Sequence, residues 1–81
     1  MSRLKLLGMN IKKYREQKGL SQNALADAVN LSREYIADVE RGHKRISLKK
    51  LFAIVDVLDI KCSDIFDFSW NSNLIYFCSY L

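Results

Sequence analysis

The sequence predicts an all-α domain of five short helices followed by an apolar tail, and three observations predict it. Apolar residues recur at spacings of three and four through the first 66 positions, the period of helices with one buried face. A serine stands at the head of four of these runs, at Ser21, Ser32, Ser47 and Ser63, where its hydroxyl can accept from a free backbone N–H of the first turn. The chain has no proline, no linker and no repeat, so nothing divides it into more than one domain.

The first helix carries Leu4, Leu7, Ile11 and Tyr14 at helical spacing and ends at Lys18-Gly19, a basic last turn followed by the residue best suited to a left-handed cap. Ser21 opens a short second helix with Leu25, Ala26 and Val29 inward. Asn30 follows, and its short polar side chain tolerates positive φ. Ser32 caps the third helix, with Ile36 and Val39 inward and Arg41-Gly42 at its end. After the basic loop "HKRI", Ser47 caps a fourth helix with a wide stripe of Leu48, Leu51, Phe52, Val55 and Leu58. Ser63-Asp64 is expected to open a fifth through Ile65 and Phe66. The last residues break the pattern: Asn71-Ser72-Asn73 reads as a turn, and "LIYFCSYL" suits either a strand or an apolar interface segment.

Composition narrows the function. With 81 residues and 49% hydrophobic content, the chain has a core of a size that rarely supplies more than about 3–5 kcal/mol, so help from a partner chain is expected. No run approaches a membrane span, and charges interrupt "MSRLKLLGMNIKKYREQKG" too often for a signal peptide; a cytoplasmic protein with no membrane partner is the expectation. Cys62 and Cys78 with the single His43 indicate neither a zinc site nor a disulfide framework, so two reduced thiols, no metal and no cofactor are expected. No serine, cysteine or carboxylate has the histidine partner that nucleophilic catalysis requires, which argues against an enzyme. Residues 1–50 hold twelve Lys/Arg against five Asp/Glu, whereas residues 51–81 hold Lys61 against Asp56, Asp59, Asp64 and Asp67. The basic half is the candidate nucleic-acid face.

Two helices joined by so short a turn cross steeply, and the second can project its N-terminal residues into a DNA major groove while the first braces it. The pattern Gln22-x-x-Leu25-Ala26, Asn30-Leu31-Ser32, Ile36, Val39-Glu40-Arg41-Gly42 and Leu58-Asp59-Ile60 resembles the Cro/repressor (Xre-type) helix-turn-helix family of bacterial and phage regulators. The resemblance covers about residues 8–66, and its strongest piece is "LSREYIADVERG". Ala26 fits because the crossing of the second and third helices needs a small residue; Asn30 stands where glycine is common. Within the family, Arg33, Tyr35 and Ile36, with the later Ile46-Ser47, look like the controller proteins of restriction–modification systems, although phage repressors and antitoxins use near-identical wording.

The resemblance implies a lambda-repressor-like fold over residues 1–66, with residues 67–81 as a tail read from their chemistry alone. It implies a sequence-specific transcriptional regulator, a repressor among the options, acting as a homodimer on a palindromic operator. An antitoxin that also binds a toxin protein, and a pure protein-interaction module, remain alternatives, and RNA polymerase is a further candidate partner. Glu40 is expected to pair with Arg15, a position the family joins to it, as a structural ion pair tying the first helix to the third. On the outer face of the third helix, Arg33 is the candidate for bidentate donation to guanine. Glu34 can accept from cytosine N4 but repels phosphate. Tyr35 can lie on a thymine methyl or donate to phosphate, and Asp38 either reads a base or orients Arg33 or Arg41. Gln22, Ser32, Arg41, Lys44, Arg45 and Ser47 are the candidate phosphate contacts. Ile65, Phe66, Trp70, Ile75 and Phe77 are the candidate dimer interface, because so apolar a set is costly to leave in water.

Overall fold

The structure, a computed structural model, describes residues 2–69. Over these residues it is all-helical, with α1 at Arg3–Gln17, α2 at Gln22–Ala28, α3 at Arg33–Glu40, α4 at Leu48–Leu58 and α5 at Cys62–Ile65. The tail positions Trp70, Ile75 and Phe77 lie outside the described residues. Among the described residues no helix is long and apolar enough to cross a membrane.

Local chemistry sets both ends of the first four helices. The hydroxyl oxygens of Ser2, Ser21, Ser32 and Ser47 accept from the backbone N–H three residues on, at 3.0–3.3 Å. At the other ends Gly19 (φ 77°), Asn30 (φ 58°), Gly42 (φ 77°) and Asp59 (φ 55°) turn left-handed. The N–H that follows each of them then reaches back five residues: Leu20 to Arg15, Leu31 to Ala26, His43 to Asp38 and Ile60 to Val55. Three of these stops are legible as Gly or Asn; the fourth uses Asp59, whose short polar side chain also tolerates this region.

The fifth helix departs from expectation. It begins at Cys62 rather than Ser63, because Asp64 reaches back to accept the Lys61 backbone N–H at 3.0 Å and so draws the preceding turn into the helix. Ser63 is thereby inside the helix and Phe66 just beyond it.

The core joins Leu7 and Ile11 of α1, Leu25 and Ala26 of α2, Ile36 and Val39 of α3, Leu51, Ile54, Val55 and Leu58 of α4, and Ile65 of α5. On α4 the buried stripe is narrower than the sequence suggests. Leu51, Ile54, Val55 and Leu58 face inward at i, i+3, i+4 and i+7, while Leu48 and Phe52 remain 63% and 47% exposed. Ile65, expected at a dimer interface, is fully buried within its own chain and offers no surface to a partner, whereas Phe66 is 49% exposed. The buried side chain of Asn10, a polar residue among the inward positions of α1, donates to the carbonyls of Ile65 (2.9 Å) and Asp67 (3.0 Å). It thus fixes the segment after α5 against α1.

Candidate nucleic-acid interface

α2 and α3 pack against one another through the small turn at Val29–Leu31, and α1 lies across α3. The approach of α1 to α3 is close because Gly8 has no Cβ: one built there would stand 2.4 Å from the carbonyl oxygens of both Val39 and Glu40. At the end of α3, Gly42 passes nearly as close to the Lys5 backbone, at 2.7 Å from a would-be Cβ. No periodicity or cap singles out Gly8, and its role is visible only once the two helices are together.

A buried ion pair locks this crossing. Arg15 Nε donates to Glu40 Oε2 at 2.7 Å, its Nη2 to Oε1 at 3.1 Å, and its Nη1 to the Leu20 carbonyl at 2.7 Å. Both residues are under 10% exposed. Hydrogen bonding to Glu40 raises the Arg15 pKa above its ordinary value, against the opposing effect of burial, so the guanidinium stays charged. Gln22, expected at a phosphate, instead completes the carboxylate: its Nε2 donates to Glu40 Oε1 at 3.1 Å. A carboxylate only accepts, so this contact settles which way the Gln22 amide points and leaves its Oε1 to accept from Arg33 Nη1 at 3.3 Å. The base-reading candidate is therefore connected, through one amide, to the rigid centre of the fold.

The remaining candidates divide by position. Arg33 and Glu34 are exposed on the first turn of α3, and Tyr35 and Asp38 are half-buried beside them. Asp38 pairs with Arg41 one turn further on, so the reading in which it orients an arginine describes the free protein; an exposed pair of this kind is worth about 0–1 kcal/mol and exchanges readily. Ser32 and Ser47 spend their oxygens on capping, which leaves each hydroxyl proton to donate. Lys44 and Arg45 are exposed between α3 and α4. Lys44 Nζ lies 4.9 Å from the centre of the Tyr35 ring, and Lys50 Nζ from α4 lies 4.8 Å from it. Lys50 was not among the residues singled out from the sequence, although a signal was there: two lysines in the first turn of α4 oppose the positive end of its own dipole.

Known proteins resemble this chain in both sequence and fold. The sequence model of the helix-turn-helix family matches residues 11–65. The chain is 42% identical over 59 residues to the immunity repressor protein of Bacillus phage phi105, a match that takes in 73% of this chain and 41% of that protein, so the chain spans less than half of that relative's length. It is 35% identical over 69 residues to control protein C.BamHI of Bacillus amyloliquefaciens, over 84% of this chain and 85% of that one. The fold superposes with a TM-score of 0.72, at 33% identity, on the restriction-modification controller protein C.Esp1396I in the crystal structure of its tetramer with its natural 35 base-pair operator, covering 82% of this chain and 87% of that one. By the extent of these matches, the chain belongs to the helix-turn-helix family, in its Cro/repressor (Xre) type.

Proposed function

We propose that this protein is a sequence-specific DNA-binding transcriptional regulator that acts as a homodimer on a palindromic operator, and not an enzyme. The observation that carries the reading is the exposed first turn of α3, where Arg33 is presented on Gln22 and braced by the buried Arg15–Glu40 pair. This single exposed contact biases the arginine toward the outer face of α3, where a base edge would lie, and the basic loop before α4 lies ready for the backbone. In this reading residues 1–66 bind DNA, with Arg33 the principal base reader and Arg45 a phosphate contact. The controller proteins of restriction–modification systems are the favoured type, because 84% of this chain aligns with C.BamHI at 35% identity and Arg33, Tyr35, Ile36 and Ile46-Ser47 follow the wording of that group. A methyltransferase and an endonuclease encoded alongside would support that type, and a toxin in their place would overturn it.

The test is binding to a panel of single-base operator variants. Arg33→Ala relaxes specificity at one base pair per half-site at a cost of about 1–3 kcal/mol, whereas Arg45→Ala weakens every variant alike. A uniform loss with Arg33→Ala removes the base-reading role.

Dimerisation through the acidic C-terminal end belongs to the same proposal. Phe66 is the described residue that supplies exposed apolar surface there, and the apolar tail continues from it in sequence. A two-fold pair would set two α3 helices about 34 Å apart, one turn of DNA, which is what a palindrome requires. Deleting residues 69–81 is expected to weaken self-association in sedimentation equilibrium. Unchanged dimer affinity in the truncated chain would exclude the tail as the interface.

A further inference from the structure

We propose that Tyr35 is a positioning residue that gathers Lys44 and Lys50 into a single clamp for a DNA backbone phosphate, and that Lys50 thereby joins the DNA contacts. The proposal rests on the DNA-binding reading above. Its basis is one ring approached by two ammonium groups from different elements, Lys44 from the loop after α3 and Lys50 from the first turn of α4. Centroid distances of 4.9 and 4.8 Å lie within the range in which the ring quadrupole attracts a cation. They also keep the two Nζ atoms no more than about 10 Å apart, of the order of the screening length of physiological salt, so their mutual repulsion is partly screened but both charges act on the same stretch of surface. Among the described residues neither lysine has a carboxylate within ion-pair distance. An arrangement that concentrates two unneutralised cations beside the positive end of α4 opposes the stability of the free protein and suits an anion placed between them.

The half-buried Tyr35 packs its ring against the core, so the platform is anchored while the lysine ends stay free to turn outward. This changes the part assigned to Tyr35: with cations on its ring, its effect on DNA runs through the lysines and carries no base preference. Phosphate contacts are blind to sequence, whereas a ring on a thymine methyl is not, and the two roles give different binding profiles.

The experiment is a mutant cycle measured by fluorescence anisotropy on two labelled duplexes, one enriched by the wild-type chain from a random pool and one scrambled duplex of equal length. Tyr35→Phe keeps the platform and should bind both within about twofold of wild type. Tyr35→Leu, which keeps apolar bulk against the core, should weaken both by the same factor, about three- to tenfold, and should cost nothing further in a Lys44→Ala/Lys50→Ala background. That double-lysine variant should flatten the dependence of log K on log salt by about 0.9 for each phosphate it no longer neutralises. Thermal unfolding of each variant checks the fold, and Tyr35→Met serves if the leucine variant is impaired. A Tyr35→Leu loss that persists without the lysines, or that differs between the two duplexes, overturns the positioning role. A salt slope unchanged in Lys44→Ala/Lys50→Ala overturns the clamp. The scrambled duplex decides the clamp by itself, whereas failure of the wild type to enrich any duplex tells against the regulator reading instead.

Discussion

Glu40→Ala is expected to lower the unfolding free energy by about 3–5 kcal/mol, enough to leave so small a domain largely unfolded at room temperature. Glu40 is 5% exposed, and its carboxylate accepts three hydrogen bonds, two from Arg15 and one from Gln22. Removing it strands a buried guanidinium, which arginine's intrinsic basicity keeps charged, and leaves the Gln22 amide without an acceptor. Arg15→Ala strands the opposite charge and should cost a similar amount. Arg15→Lys should fall between, since an ammonium cannot serve both carboxylate oxygens and the Leu20 carbonyl in the planar fork that arginine uses. The double variant removes both charges together and should cost less than the two single losses combined, by about 0.5–3 kcal/mol. Urea unfolding followed by circular dichroism, with the denaturant slope held constant across the set, measures the cycle. No coupling would show that the two residues act independently.

Gly8→Ala should match or exceed the 1–3 kcal/mol typical of an overpacked core, roughly, although it adds only one methyl group. The new carbon would meet two backbone carbonyl oxygens at 2.4 Å and a carbonyl carbon at 2.7 Å, against 3.4–4 Å for ordinary van der Waals contact. Backbone atoms have no rotamer to escape into, so α1 must back away from α3 as a whole, and the Arg15–Glu40 hydrogen bonds stretch with it. Gly19→Ala is the control, because a Cβ there meets nothing within 4 Å while φ is +77°. Its cost should be the left-handed penalty alone, about 1–2 kcal/mol. Thermal and urea unfolding of both variants, beside an Arg33→Ala protein whose side chain is exposed, separates the effects. A Gly8→Ala loss below about 1 kcal/mol would show that the helix crossing has room to spare.

Local features of the fold could be read directly. The serine caps at 21, 32 and 47 and the left-handed stops at Gly19, Asn30 and Gly42 follow from backbone chemistry acting over three to five residues, so no knowledge of the rest of the chain is needed. The Arg15–Glu40 pair came from the family resemblance, and the contact is present at 2.7 Å. Placement of α5 failed by one residue because Asp64, read as part of the opening, accepts from Lys61 as the third residue of the helix.

By itself, then, the sequence determined the number and order of the helices, the serine caps of α2, α3 and α4, the basic half and the outward character of Arg33 and Glu34. Only the tertiary structure decided which neighbours each side chain meets. It turned Ile54 inward and Phe52 outward on one helix, made Gly8 a point of backbone contact, and joined Asn10 to the carbonyl of Ile65, 55 positions away. It took Ile65 into the core, gave Gln22 to Glu40 and Arg33, and set Lys50 over Tyr35. The physical reason is one of range. Capping and φ preferences are settled within a turn of chain, but burial and pairing depend on where the helices cross, and that crossing is settled by the packing of all of them at once.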